Sequence, residues 1–250
     1  DHLRLKNELE NTNYDFVLSY DDCDEIRSLY KNFKIIDFDL TYRIENSVPN
    51  ENKRKKVNEI LITNIGLKRR LSKKKESEEL IFEKIRSPIR YAGSKLQALK
   101  YIKPLLSDLR YDEFWEPFVG GGALFFAAPL AKKTVLNDSN NDLINFYKQI
   151  QEIESRNRLI KNVKDFIPNK KNFTTLKNIV PKNEFEDACK YFIINRTAYS
   201  GIMNKPNWGY DNKKSLQPHK WGERIEIAGS KLQYAEILNQ NFRKFFERKQ

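Results

Sequence analysis

The order of strands, helices and glycine turns along this chain predicts an α/β protein with a doubly wound, largely parallel sheet. Three observations carry that expectation. The stretch EFWEPFVGGGALFF, Glu113 to Phe126, sets three consecutive glycines between two apolar runs. The run KTVLND follows and ends at Asp138, 18 positions after Gly120 (138 − 120). Strand, glycine turn, helix and strand in that order make one βαβ unit. An amino-terminal region with its own alternating apolar runs adds further strands.

Taken in order, Leu3, Leu5 and Leu9 among charged residues suggest the end of a helix, and YDFVLSY (Tyr14 to Tyr20) reads as a buried strand. In DEIRSLYKNF, Ile26, Leu29, Tyr30 and Phe33 fall at helical spacing. KIIDFDLTYRI alternates with period two, and VNEILITNI is another strand. The segment 67–86 is rich in charge and lacks Gly and Pro, which predicts an exposed, partly helical linker, with a DNA-contacting basic arm as the alternative. SPIRYAGSKLQALKYIKPLL then leads through a glycine turn into a helix, with Leu96, Leu99, Ile102 and Leu105 or Leu106 on one face.

Composition narrows the function classes. The chain has 250 residues, 39% hydrophobic, enough for a sizeable core. Lys plus Arg number 46 against 34 Asp plus Glu, a net charge of +12 that attracts polyanions, so nucleic acid leads the partner classes. Cys23 and Cys189 stand far apart with no CxxC, and there are two histidines, His2 and His219; no disulfide framework or metal site is expected. No apolar run approaches a membrane span and the amino terminus is charged, so a cytoplasmic, reducing setting is expected.

The glycines then pose a chemical question. In such sheets ligands bind beyond the carboxyl ends of the strands, where bare backbone allows close approach and a helix amino terminus offers free N–H groups. An acidic side chain at the end of the next strand, here Asp138, can accept two ribose hydroxyls. The third glycine of a dinucleotide fingerprint is missing, since the run is Gly120-x-Gly122-x-x-Phe125. The ligand expected here carries a ribose and need not be a dinucleotide.

Four blocks then resemble one family in order and spacing. RYAGSK (Arg90 to Lys95), EPFVGGG (Glu116 to Gly122), NDSNNDLINFY (Asn137 to Tyr147) and NRTAYSGIMNKPNWGY (Asn195 to Tyr210) resemble the Dam-type, alpha-group DNA adenine N6-methyltransferases. The resemblance implies a Rossmann-like S-adenosylmethionine-dependent methyltransferase sheet with a small DNA-recognition insertion. It implies S-adenosylmethionine as cofactor, double-stranded DNA as partner, and methyl transfer to the exocyclic amine of a flipped adenine, in a restriction–modification setting. Tyr91, Gly93 and Lys95 would border the cofactor pocket, Phe118, Gly120 and Gly122 would meet its methionine portion, and Asp138 its ribose. Asn241 stands where the family often has an acidic residue for the cofactor's adenine.

For DNA, the resemblance points to Asn195, Arg196, Tyr199, Ser200, Asn204 and Lys205. Around them Lys213 and Lys214 supply further cations, and Trp208 and Tyr210 further aromatics, unless those rings pack into a core. Family members that read GATC tend to carry arginine where Asn204 stands and asparagine where Ser200 stands, so a different target sequence is expected.

The resemblance is also out of order. DHLRLKNELENTNYDFVLSYDD and RKKVNEILITN resemble the segments that follow the family's catalytic DPPY motif, yet they come first, and no Pro-Pro pair occurs anywhere. The expected organisation is a carboxyl-terminal-type half over 1–66, the charged linker 67–86, and a cofactor-binding and target-recognition half over 87–250. The sheet would be incomplete or permuted. A fragment across two tandem domains, a circular permutant, and a half-enzyme completed by a second chain or flanking domain supplying DPPY all account for this order.

The adenine amine is a poor nucleophile, and the DPPY carboxylate and adjoining carbonyl accept its hydrogens. Without them the catalytic residues are unknown, and the chain is expected to bind rather than turn over. A catalytically inactive DNA-binding module that kept the fold is the alternative.

Overall fold

The computed structural model describes residues 1–43, 54–66, 85–107 and 109–248. The chain divides into two compact units, Asp1–Leu80 with Gln97–Arg110, and Ile81–Leu96 with Tyr111–Gln250. Most of the expected charged linker, 67–84, lies outside the described residues.

The first unit is antiparallel. Helix α1 (His2–Glu10) buries Leu5 and Leu9 and leaves Leu3 exposed. Strand β1 (Val17–Asp21), helix α2 (Asp24–Leu29), and strands β2 (Lys34–Arg43) and β3 (Arg54–Thr63) follow, and the sheet order is β1-β3-β2. β3 lies in the middle, with Thr63 opposite Val17 on one side and Lys34 on the other. Its run Ile60-Leu61-Ile62 is fully buried, as a strand covered on both faces requires. Asn64 fixes the entry of β1: its Oδ1 accepts from Phe16 N at 2.9 Å and its Nδ2 donates to Tyr14 O at 2.7 Å.

Helix α3 (Leu99–Leu106) belongs to this unit, although the sequence reading grouped it with 87–250. Its apolar face is the reason. Leu99 and Ile102 are buried, and the Tyr101 ring lies 4.7 Å from that of Phe38 on β2.

The second unit holds a parallel sheet in the order β4-β5-β6, from β4 (Glu113–Glu116), β5 (Lys133–Asn137) and β6 (Glu236–Leu238). The expected βαβ unit is present, with α4 (Ala123–Ala127) between β4 and β5. α4 is shorter than the run ALFFAAPL suggests. Ala128 precedes Pro129 and is extended, with φ −72° and ψ 148°, because a residue before proline is driven from the helical region.

Five helices lead from β5 to β6: α5 (Asn141–Gln151), α6 (Ile153–Lys164), α7 (Lys170–Asn178), α8 (Glu184–Thr197) and α9 (Trp221–Leu232); α10 (Phe242–Glu247) follows β6. Asn140, Asn169 and Asn183 start α5, α7 and α8 by accepting a backbone N–H three residues on, at 3.1, 2.8 and 2.9 Å. Phe146 of α5 stacks on Phe192 of α8 at 5.5 Å, and Trp221 of α9 meets Phe192 edge-on at 5.6 Å. These rings form the core behind the sheet.

A permuted sheet would set Phe16-Val17-Leu18 beside Trp115-Glu116-Pro117-Phe118, but β1 and β4 belong to different sheets. Among the described residues β4 pairs with β5 alone. Leu61 is the centre of the first unit's apolar strand, so Leu61→Ala is expected to cost about 3 kcal/mol through lost burial and the cavity left behind. A fall in the urea midpoint of a probe in that unit, such as Tyr30 fluorescence, checks it.

Candidate functional site

The carboxyl ends of the parallel strands are joined by one buried side chain. Asn137, the last residue of β5, donates from Nδ2 to Pro117 O and to Gln240 O, both at 3.0 Å, and its Oδ1 accepts from Gln240 N at 2.9 Å. Its own carbonyl accepts from Val119 N at 2.8 Å. The loops that leave β4 and β6 are thereby held against the end of β5.

The glycine turn is built on that anchor. Gly120 and Gly122 have φ of 46° and 63°, a left-handed backbone that side chains disfavour. Gly120 N donates to Asp138 Oδ2 at 2.9 Å, and Tyr147, buried in α5, donates its hydroxyl to Gly120 O at 2.9 Å. The glycines are also bare for neighbours within the protein. A Cβ on Gly120 would stand 2.9 Å from the Tyr91 ring, one on Gly121 2.8 Å from Tyr91 Cβ, and one on Gly122 2.8 Å from the Phe126 ring. Close approach of a ligand was the expected reason for three glycines; close approach of Tyr91 and Phe126 is the observed one.

Asp138 stays available beside this turn. Its Oδ1 accepts from Asn140 N at 3.0 Å, so each carboxylate oxygen holds one backbone N–H and keeps a lone pair. The group is half-buried, and its own carbonyl accepts from Asn239 Nδ2 at 2.9 Å.

Glu116, which the sequence reading passed over, ends β4 with a buried carboxyl. It takes a hydrogen bond from the backbone of Phe125, while its Oε2 is buried without a partner. Burial, with the Asp138 charge adding to it, pushes Glu116 up to about 8.

The other expected cofactor residues fall around the turn unevenly. Tyr91 covers it, and burial, then the Asp138 charge, raises its phenol. Gly93, with φ 75°, makes the turn closed by Ser94 N donating to Tyr91 O at 3.0 Å, and Lys95 follows, half-buried. Phe118 is exposed, its ring 5.7 Å from that of Phe242. Asn241 caps α10, its Oδ1 accepting from Arg243 N at 3.0 Å, which leaves the Nδ2 donors and one Oδ1 lone pair for the expected adenine contact.

The expected DNA residues separate into scaffold and surface. Asn195 is fully buried: its Oδ1 accepts from Arg90 N at 2.8 Å and its Nδ2 donates to Arg90 O at 2.7 Å. It is a scaffold residue, which corrects its placing among DNA contacts. Arg90 itself closes the end of α8, with Nη2 donating to Asn195 O, Arg196 O and Ala198 O at 3.1, 2.6 and 2.6 Å. Trp208 packs on Phe173 at 5.7 Å and Tyr210 is buried, so those two rings are core, as a packed hairpin requires.

Tyr199, Ser200, Asn204 and Lys205 are exposed, as are Lys213 and Lys214. Ser200 and Lys205 have φ of 50° and 51°, the positive-φ residues other than glycine among the described residues. Such strain persists only where the surroundings enforce it. Tyr199 N donates to Asn207 O at 2.7 Å, and a Cβ on Gly209 would lie 2.4 Å from Tyr199 Cα, so the two arms of this loop cross in close contact.

With this geometry stands a likeness in sequence. The chain belongs to the D12 class N6 adenine-specific DNA methyltransferase family, which its residues 91–250 match. It is 31% identical over 167 residues to the Type II methyltransferase M1.LlaDCHI of Lactococcus lactis subsp. cremoris, covering 61% of this chain and 54% of that protein. It is 33% identical over 121 residues to the DNA N-6-adenine-methyltransferase of Escherichia phage P1, covering 47% of this chain and 16% of that protein. The chain thus spans about half or less of the length of these relatives. Members of the class use S-adenosylmethionine as methyl donor. Among the described residues no helix is long and apolar enough to cross a membrane, and no group of His, Cys, Asp and Glu could hold a metal ion.

The residues present fit that donor. A ribose diol suits the remaining lone pairs of Asp138, and a cation suits the unpartnered buried oxygen of Glu116. The raised carboxyl has a consequence for stability. Between pH 4.5 and about 8 folded Glu116 holds a proton that the unfolded chain has lost, so its contribution falls as pH rises through that window. Glu116→Gln removes this slope. The variant is expected to gain stability on the parent between pH 5 and 8, at about 1.4 kcal/mol per pH unit at most. Urea unfolding at both pH values checks it, and an unchanged gap refutes it.

Proposed function

We propose that this chain carries the cofactor-binding and DNA-reading part of a DNA adenine N6-methyltransferase. The observation that carries the reading is the pinned glycine turn with Asp138 at its edge, in a chain of the D12 class. The partner is double-stranded DNA, the setting cytoplasmic, and the Type II name of one relative supports a restriction–modification context. A non-catalytic DNA-binding module would have no use for Asp138 or for the buried oxygen of Glu116.

When bound, S-adenosylmethionine supplies an electrophilic methyl group on a sulfonium. Asp138 holds the ribose, Glu116 faces the cationic portion, and Gly120 to Gly122 are locked so that no loop has to order as the ligand binds. Tyr91, held over the turn, bounds the site, and Gly93, Lys95 and Phe118 extend it. Arg196 and Lys205 supply positive charge toward the duplex, and Tyr199, Ser200 and Asn204 stand exposed for contact with bases. The amine that receives the methyl group must shed a proton to an acceptor. A DPPY-type carboxylate fills that role and comes from outside this chain, from a flanking domain or a second chain, with 1–66 and 87–250 as parts of two domains.

Asp138→Ala is expected to weaken S-adenosylhomocysteine binding at least tenfold by calorimetry. Asp138→Asn, which keeps an acceptor for Gly120 N, separates loss of the ribose contact from collapse of the turn. Unchanged affinity in both variants would remove Asp138 from the site. The chain alone, incubated with labelled S-adenosylmethionine and mixed-sequence duplex DNA, is expected to transfer no methyl group to adenine above background; robust transfer would place the acceptor inside the chain.

A further inference from the structure

Helix α7 is fastened along one flank to the loop that exposes Tyr199, Ser200, Asn204 and Lys205. Phe173 turns inward and packs its ring against that of Trp208, and Lys177 Nζ donates to Pro206 O at 3.0 Å. Lys205, with its left-handed backbone, immediately precedes that proline. The helix is held at both ends as well. Asn172 Nδ2 donates to Ile167 O at 2.9 Å before it, and Lys190 of α8 donates to Ile179 O at 2.6 Å after it. Helix and loop therefore move as one surface.

The rest of α7 faces water and carries one sign of charge. At about 3.6 residues per turn, Lys171, Thr175 and Asn178 lie opposite the inward Phe173 and Leu176, while Lys170 and Lys177 lie between that outer face and the loop. The helix contains no Asp or Glu. Exposed lysines elsewhere have carboxylates, Lys6 with Glu10 at 2.6 Å and Lys132 with Asp112 at 3.0 Å. Among the described residues no carboxylate pairs with Lys170, Lys171 or Lys177. Lys170 and Lys171 also stand in the first turn, against the positive end of the helix dipole, so they add nothing to the helix itself.

We propose that the outer face of α7, through Lys170 and Lys171 with Thr175 and Asn178, is a second DNA-contacting surface that takes backbone phosphates beside the base steps met by the loop. The inference rests on the DNA-methyltransferase reading above and extends the contact from loop to helix. Duplex DNA is the partner because the face continues the Lys205 edge of the loop through Lys177 and Pro206. Phosphates are the target because cations, a hydroxyl and an amide make up the face, and the helix's one ring, Phe173, is buried. Nine residues rise about 13 Å, the length of about four base pairs.

The test uses the full chain with S-adenosylhomocysteine and a fluorescent duplex, read by anisotropy across a salt series. Lys170→Gln combined with Lys171→Gln is expected to weaken binding about tenfold at low salt for every duplex sequence alike, with a salt slope shallower by about 1.8, the loss of two phosphate contacts. Lys170→Arg with Lys171→Arg should restore both. The glutamine pair should bind S-adenosylhomocysteine and unfold in urea as the parent does, since both side chains are exposed. Lys31→Gln with Lys34→Gln removes the same charge from exposed positions of the first unit and should leave the slope at the parent's value.

If the parent binds duplex and the α7 pair matches it in affinity and slope, α7 only faces solvent and the proposal fails. It fails too if the Lys31 and Lys34 control loses as much, because net charge alone then accounts for the binding. If polyglutamate of equal charge binds as tightly as duplex and is lost in the same α7 variant, the surface takes acidic peptide and not DNA. If the parent binds no duplex at any salt, the DNA-methyltransferase reading itself fails, and this inference with it.

Discussion

The carboxamide of Asn137 is the interaction on which the rest of the site depends. It sits at the carboxyl end of the central parallel strand and spends both donors and its acceptor on the loops leaving the two flanking strands. Strands in a sheet are fixed by their ladder, but the loops beyond them have none. A single buried amide that bridges them sets the height of the glycine turn, and through it the positions of Asp138 and Glu116. An apolar residue there would leave Pro117 O, Gln240 O and Gln240 N with buried polar atoms to satisfy elsewhere.

From that anchor outward, most polar groups at the mouth of the sheet have a partner within the protein, while Glu116 Oε2 and Gln240 Oε1 are buried without one. Gly120 is held at both its N–H and its carbonyl, by Asp138 and Tyr147. Elsewhere in the same unit Thr134 Oγ1, Arg90 Nε, Arg196 Nε and Tyr210 Oη are left over as well. Orphaned groups cost stability wherever they lie, and a buried water or a bound ligand that reached one of them would recover part of that cost.

Much of this was legible in the chain and some was not. The βαβ unit and Asp138 at the strand end followed from apolar runs bracketing three glycines, because periodicity and turn chemistry are local. The reason for the glycines was not local. Tyr91 lies about thirty residues away, and only the folded chain brings its ring onto Gly120. Asn195 lies inside a motif shared with a DNA-binding family and reads as a contact, whereas its amide pairs with the backbone of Arg90; sequence carries no sign of which way a polar side chain faces in a helix whose last two turns are buried on nearly every side. β6 is three residues long with one buried side chain, too little pattern to announce a strand. α3 was assigned to the wrong unit because a connecting helix does not declare which sheet its apolar face will cover.

The backbone at Ser200 and Lys205 has a kinetic meaning as well. Each holds a conformation that costs an ordinary residue about 1 kcal/mol, and the crossing of Gly209 over Tyr199 keeps the loop from relaxing out of it. The expense is borne by folding, before any ligand is met. A loop already set in its shape surrenders little freedom on contact, so a ligand docking on it would do so at a rate governed by diffusion and charge rather than by waiting for a rare shape to appear.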